Sequence, residues 1–293
     1  MKTFVIINPV SGKQRRDPAD WERPVKINFP HADGAFTKRA GHATELAAQA
    51  IAAGYEQIFV AGGDGTINEV ARALVGKPTA LGIIPKGSGN GLAREIGMPL
   101  HYEEALAALQ RAEPVACDVG QANGEYFFNV AGVGIEAEIA HQFAEYGKNG
   151  ARGMWPYFKL GLQTIFSYKP QVLEVQYNEQ EELMIPLTLV FANGAQYGSN
   201  FIIAPRANLT DGLFDMVQVP DLPKWKLALA APTFFSKTFR PLEVTQMHRT
   251  AEAVIRSEEE IVYHLDGEPK VTRQELRISL LPKALNVLIP KGF

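Results

Sequence analysis

Gln57-Ile58-Phe59-Val60-Ala61-Gly62-Gly63-Asp64-Gly65-Thr66 decides the fold of this chain. A short apolar run ends in a glycine loop, and Ile67, Val70, Ala71 and Leu74 follow at helical spacing, so the stretch reads as strand, loop and helix. Two more segments repeat the form. Residues 4–7 run into Asn8-Pro9-Val10-Ser11-Gly12, and residues 81–84 run into Pro85-Lys86-Gly87-Ser88-Gly89-Asn90-Gly91, with Leu92 and Ile96 on a following helix. A further helix over residues 43–53 stops at Gly54, a residue suited to a C-cap. Alternating strands and helices predict a parallel α/β domain over residues 1–118.

In a parallel sheet the loops at the carboxyl ends of the strands face one crevice, where ligands bind. Three glycine loops are therefore expected to share one site. Glycine lets the backbone approach a phosphate closely, and a following helix aims free N–H groups and its positive end at the anion. Polyphosphate binding is the expectation. Asp64 sits awkwardly beside anionic oxygens unless it handles magnesium or a proton in flight; the plainer alternative is tight turns with an aspartate helix cap.

From about Glu125 the texture becomes extended, with runs at residues 126–130, 172–177, 185–192, 201–204, 214–219, 251–256 and 261–265. Leu173, Val175 and Tyr177 alternate with Glu174 and Gln176, as Leu276, Ile278 and Leu280 do with Arg277 and Ser279. Period two between turns predicts an antiparallel β-sandwich over residues 119–280. The last apolar run, 285–289, is expected to return to the first domain, so the tail 281–293 is counted with it. The boundary carries no Ser/Gly linker, which favours a tight two-domain body with the active site in the cleft.

The remaining bounds come from composition. The 293 residues are 46% hydrophobic and 21% charged, which fits a packed globular protein. A net charge of −3 gives no footprint of a nucleic-acid binder. Cys117, the single cysteine, excludes an internal disulfide or a cysteine zinc cluster and suits a reducing compartment. The start reads as a first strand rather than a signal peptide. The longest uncharged apolar stretch, residues 227–236, contains Pro232 and falls short of the ~20 residues that span a bilayer.

Common motifs are excluded in turn. There is no G-x-x-x-x-G-K-[ST] and no G-x-S-x-G. Gly132-Val133-Gly134-Ile135-Glu136-Ala137 fits G-x-G-x-x-A but follows no first strand and lacks the acidic residue downstream. The six histidines show no metal spacing, so surface or packing roles are expected for them.

Asn8-Pro9-Val10-Ser11-Gly12, Gly62-Gly63-Asp64-Gly65-Thr66-Ile67-Asn68-Glu69 and Pro85-Lys86-Gly87-Ser88-Gly89-Asn90 together resemble the catalytic domain of the diacylglycerol kinase and sphingosine kinase family. Phe128-Asn129-Val130-Ala131-Gly132-Val133-Gly134, Asp211-Gly212-Leu213 and Leu265-Asp266-Gly267-Glu268 extend the likeness over nearly the whole chain. The resemblance implies an ATP-dependent, Mg²⁺-requiring kinase for a lipid hydroxyl such as that of diacylglycerol or a sphingoid base. Its ATP site would include Asn8, Ser11, Thr37, Gly62, Gly63, Asp64, Gly65, Thr66, Ile67, Asn68 and Ser88. Asn208, Asp211 and Leu213 would hold a structural Mg²⁺ through main-chain carbonyls and one carboxylate. Asp64 would serve magnesium or the acceptor, and Glu268 with Asp266 would stand nearest the acceptor hydroxyl.

Two residues depart from the bacterial diacylglycerol kinase pattern: Gly91 replaces an acidic residue, and Glu136 stands where an aspartate is usual. Alternative readings are a kinase for a soluble acceptor such as NAD, whose kinases share the Gly-Gly-Asp-Gly loop, and a non-catalytic nucleotide sensor. The partners implied are ATP and a membrane lipid, with peripheral contact at the inner face of the membrane, no nucleic acid, a cytoplasmic location and room for a homodimer. Aromatic and basic residues at 154–166 and 233–240 suit such an interfacial face.

Overall fold

The computed structural model describes residues 1–12, 18–148, 164, 167–199, 201–221, 223 and 245–291. Both segments expected to meet the membrane, 154–166 (apart from Thr164) and 233–240, lie outside the described residues. The chain divides into two compact units, Met1–Val119 with Pro282–Phe293, and Gly120–Leu281. These boundaries lie one residue from those that the sequence pattern predicts, 118/119 and 280/281.

The first unit runs β1 (Thr3–Ile7), α1 (Pro18–Asn28), β2 (Asp33–Phe36), α2 (His42–Ala52), β3 (Gln57–Gly62), α3 (Asp64–Leu74), β4 (Ala80–Pro85), α4 (Gly91–Glu95), α5 (Tyr102–Leu109) and the start of β5 (Glu113–Ala122). Its sheet has the order β2-β1-β3-β4 and is parallel throughout, with Ile7 level with Ala61 and Gly62 level with Pro85. Every residue of β4 is buried, as expected of a strand covered on both faces. Helix α3 packs against α2, and α1 against α5. Ile67, Val70, Ala71 and Leu74 of α3 are all buried, so the i, i+3, i+4, i+7 spacing is the stripe that meets the sheet.

The second unit continues with β6 (Glu125–Phe127), β7 (Val130–Gly134), α6 (Ile135–Lys148), β8 (Leu173–Tyr177), β9 (Gln180–Met184), β10 (Pro186–Ala192), β11 (Gln196–Gly198), β12 (Phe201–Ile202), β13 (Phe214–Pro220), β14 (Gln246–Thr250), β15 (Glu252–Arg256), β16 (Ile261–Leu265), β17 (Glu268–Thr272) and β18 (Glu275–Ile289). One antiparallel sheet has the order β14-β13-β10-β7-β16-β17; in the other, β18, β15, β8 and β9 are neighbours. Leu189, Phe191, Phe214, Met216 and Tyr263 of the first sheet share one core with Val175, Ile255, Leu276 and Ile278 of the second. This is the expected sandwich.

The six-stranded sheet is also covered on its other face, where Val130, Val190, Ala192, Val217 and Val219 pack with Ile203 and Ala204. Burial on both faces explains why residues 186–192 read as a continuous apolar run without alternation. The final strand differs from expectation. The runs 276–280 and 285–289 are one 15-residue strand, which passes Lys283 in a left-handed conformation, φ 52°. The Lys283 N–H donates to the buried Asp118 carboxylate at 2.7 Å, and Val287 then pairs with Leu81 in parallel. Strand β5 itself was not legible, because Pro114, Asp118 and Gly120 interrupt its apolar pattern. Its thiol, Cys117, is buried and pushed up to about 12, which keeps it protonated and unreactive.

Gly82 in β4 marks the tightest point of the first core. A methyl group there would run into the Phe59 ring and Leu109. Gly82→Ala is expected to cost about 1–3 kcal/mol through overpacking, read as a lower urea midpoint with unchanged far-UV circular dichroism. An unaltered midpoint would show that the Phe59 ring has room to move.

Candidate functional site

The three glycine loops leave the carboxyl ends of β1, β3 and β4 and are bonded to one another. Asn8 opens the first loop: its N–H donates to Ala61 O at 2.9 Å, and its Nδ2 donates to Thr66 Oγ1 at 2.8 Å. Lys86 of the third loop donates from Nζ to Asn8 O at 3.1 Å and from its backbone N–H to Gly62 O at 2.8 Å. Close backbone approach needs glycine here. A Cβ on Gly87 would stand 2.9 Å from the Gly63 Cα, and one on Gly89 would stand 2.8 Å from Asp64 Oδ2.

Asp64 ties the second loop to the third. Its Oδ2 accepts from the Asn90 N–H at 2.9 Å and its Oδ1 from the Gly91 N–H at 2.7 Å. Asn90, held at φ 50°, closes the loop through Oδ1 on the Gly87 N–H and Nδ2 on the Gly87 carbonyl, both at 2.8 Å. The carboxylate expected to serve magnesium or a proton is thus first an anchor for orphan amides at the start of α4. Glu69 performs a similar task, accepting from the Gly41 and Ala43 N–H groups at the start of α2.

Of the residues assigned to ATP, Gly65 and Ser88 are exposed, while Asn8, Ser11, Thr37 and Gly63 are half-buried. Gly63, at the N-cap of α3, supplies no side-chain cap. The Thr66 hydroxyl takes the Asn8 amide, and its side chain packs where a Cβ on Gly62 would fall. Ile67 has its side chain buried in the core, and its N–H donates to Gly63 O at 3.0 Å. Asn68 is likewise buried.

In the second unit, Asp266 and Gly267 form the two-residue turn between β16 and β17, with φ 49° and 85° and Leu265 paired to Glu268. Two left-handed residues are what a type I′ hairpin requires. Asp266 had been set beside Glu268 as a catalytic carboxylate. The structure gives it other work: Oδ2 accepts from the Phe128 N–H and Oδ1 from the Asn129 and Val130 N–H groups, at 2.8, 2.8 and 3.0 Å. It clamps the entry to β7. Glu268 opens β17 and is half-buried.

At the expected structural metal site the side-chain oxygens of Asn208 and Asp211 have partners within the protein. Asn208 Oδ1 accepts from the Thr210 N–H and hydroxyl, and Asp211 Oδ1 accepts from the Leu213 N–H. Asp211 Oδ2 is ion-paired with Arg249, whose Nε lies 3.5 Å from Asp215 Oδ1. Arg206 lines the same cavity, so two guanidiniums already balance two carboxylates.

The sequence predicts surface or packing roles for the histidines, and His264 is buried in the six-stranded sheet opposite Gly132. Nearby, Glu136 at the start of α6 accepts from the Thr188 hydroxyl, and its Oε2 is buried without a partner. Burial pushes the Glu136 carboxyl from 4.5 up to about 8 and the His264 imidazole from 6.5 down to about 4. The signal available in the sequence was the departure at Glu136 itself.

Two outcomes follow from these carboxylates. Asp266→Asn keeps one acceptor oxygen and turns an NH₂ toward a backbone N–H, so it is expected to cost about 1–3 kcal/mol in denaturant unfolding. Because the Glu136 pKa is raised on folding, its contribution is full below pH 4.5 and is lost as pH rises through 8; that of His264 is full above 6.5 and is lost as pH falls through 4. The two slopes oppose each other from 4.5 to 6.5, and only the fall due to Glu136 remains from 6.5 to 8. Thermal melts of Glu136→Gln should be flat across that upper window where those of the unaltered protein decline.

Comparison with known proteins bears on the same segments. Residues 2–122 match the family model of the diacylglycerol kinase catalytic domain, and residues 129–289 match that of the YegS C-terminal NAD kinase beta sandwich-like domain. A probable lipid kinase YegS-like from Pseudomonas putida is 32% identical, over 89% of this chain and 86% of its own. A diacylglycerol kinase from Bacillus subtilis is 33% identical, over 73% of this chain and 72% of its own. A putative diacylglycerol kinase structure from Bacillus anthracis shares the fold with a TM-score of 0.78 at 23% identity, covering 100% of this chain and 98% of that one. The chain therefore belongs to the lipid kinase family that joins a diacylglycerol kinase catalytic domain to a YegS-type β-sandwich.

Proposed function

We propose that this protein transfers the γ-phosphoryl group of ATP to a hydroxyl of a membrane lipid, diacylglycerol or a sphingoid base, with Glu268 accepting the hydroxyl proton. The reading rests above all on the interlocked glycine loops: Asp64, Asn90 and Lys86 hold three chain segments together, while Gly65 and Ser88 are exposed and Ser11 is half-buried. Phosphoryl transfer needs little covalent help from a protein and depends on positioning and charge neutralisation, which a preset cradle of backbone amides supplies. Mg²⁺ enters with ATP as part of the co-substrate.

Chemistry at the acceptor requires a base within reach of the hydroxyl, and the family likeness of Leu265-Asp266-Gly267-Glu268 supports Glu268 in this role. Asp64 and Asp266, the other two candidates, already hold backbone amides with both oxygens. The acceptor loses its proton to the carboxylate as its oxygen attacks the γ-phosphorus, and ADP departs with the bridging oxygen. Among the described residues no helix is long and apolar enough to cross a membrane.

ATP turnover with diacylglycerol, sphingosine, NAD or no acceptor in mixed micelles tests the reading. Phosphorylated lipid is the expected product; turnover with NAD alone would move the protein to a soluble acceptor, and none with any acceptor would favour a nucleotide sensor. Glu268→Gln is expected to lower kcat on the order of 10²-fold or more while the KM for ATP stays nearly unchanged. Full kcat in that variant would remove Glu268 as the base.

A further inference from the structure

We infer that His264 is a positioning residue for Glu268: its Nδ1 holds the N–H of Gly267, the turn residue immediately before that carboxylate. The bond measures 3.2 Å. This inference rests on the reading of Glu268 as the base.

The turn has little other freedom. The Asp266 N–H donates to Val130 O at 2.9 Å, and the Asp266 side chain is held by three amides. The Gly267 N–H, on the peptide that joins the two turn residues just before Glu268, donates to the imidazole. Holding it fixes the direction in which the chain enters β17, and with it the start of the Glu268 side chain.

The surroundings of the ring are built to keep Nδ1 an acceptor. His264 is 2% exposed and its ring lies tilted against Tyr197, centroids 5.5 Å apart. On the neighbouring strand, a Cβ at Gly132 would come within 2.8 Å of His264 Nε2 and 2.5 Å of Glu136 Oε1. A side chain at that position would therefore displace the imidazole, which gives the glycine at 132 a physical reason. With Nδ1 accepting, the proton of the neutral ring must sit on Nε2. Burial disfavours the doubly protonated ring, which would turn an N–H against the Gly267 N–H.

A histidine that merely filled the core would be judged by volume, whereas a positioning histidine is judged by its acceptor. Asparagine offers Oδ1 near the place of Nδ1; phenylalanine keeps the ring and offers no acceptor. His264→Phe is expected to lower kcat about 10- to 100-fold with the KM for ATP within about twofold, the cost of a misplaced reacting group. His264→Asn should recover most of that loss despite leaving a larger void. Retained kcat in folded His264→Phe, or an equal loss in both variants, overturns the inference.

Glu268→Gln measured in parallel separates the two readings. If it keeps full rate, the base lies elsewhere and the role of His264 falls with it; if it loses rate while His264→Phe does not, only the role of His264 falls. Should His264→Phe fail to fold, ¹⁵N spectroscopy of the unaltered protein decides. The Nε2–H tautomer at His264 is expected, and an Nδ1–H tautomer overturns the assignment.

Discussion

Backbone N–H groups at the ends of strands have to find acceptors once neighbouring segments bury them, and in this protein aspartate carboxylates supply them. Asp64 takes the amides of Asn90 and Gly91, and Asp266 takes those of Phe128, Asn129 and Val130. A charged acceptor makes shorter and stronger bonds than a carbonyl and binds several donors at once. Each clamp sits where the chain changes direction beside a proposed functional group. The glycine loops keep their shape because of the first, and the hairpin that carries Glu268 keeps its shape because of the second.

That arrangement alters how acidic residues in such motifs should be understood. A carboxylate between glycines is readily taken for a metal ligand or a base, since both uses need an exposed oxygen. Here the glycines remove steric bulk so that one loop can close on the carboxylate of another, as the approach of Gly89 to Asp64 illustrates. The acid thereby fixes the geometry of the loops that carry the proposed phosphate site. Asp211 likewise has a partner within the fold, its carboxylate being ion-paired with Arg249.

The second unit shows why polar groups in a sheet buried on both faces are informative. The face that carries Val130, Val190 and Val217 has a polar interruption formed by Thr188, Glu136 and His264 opposite Gly132. Burying unpaired polar atoms is costly, so such a group persists when it does something that an apolar side chain cannot. For His264 that is the acceptance of a backbone N–H at the turn.

Periodicity and glycine placement by themselves determined the α/β domain, the sandwich and the three loops, because strand and helix periods and the need for positive φ or close approach are local properties. Helix α3 is the example: its stripe could be read residue by residue and is buried as read. Local pattern could not tell that residues 276–289 form one strand, or that Asp64 and Asp266 spend their oxygens on amides. The two carboxylates depend on partners 26 to 138 positions distant along the chain. A carboxylate's sequence neighbours set where it can point, but only the folded chain decides which amides come to meet it, and hydrogen bonds form with whatever donor arrives within about 3 Å.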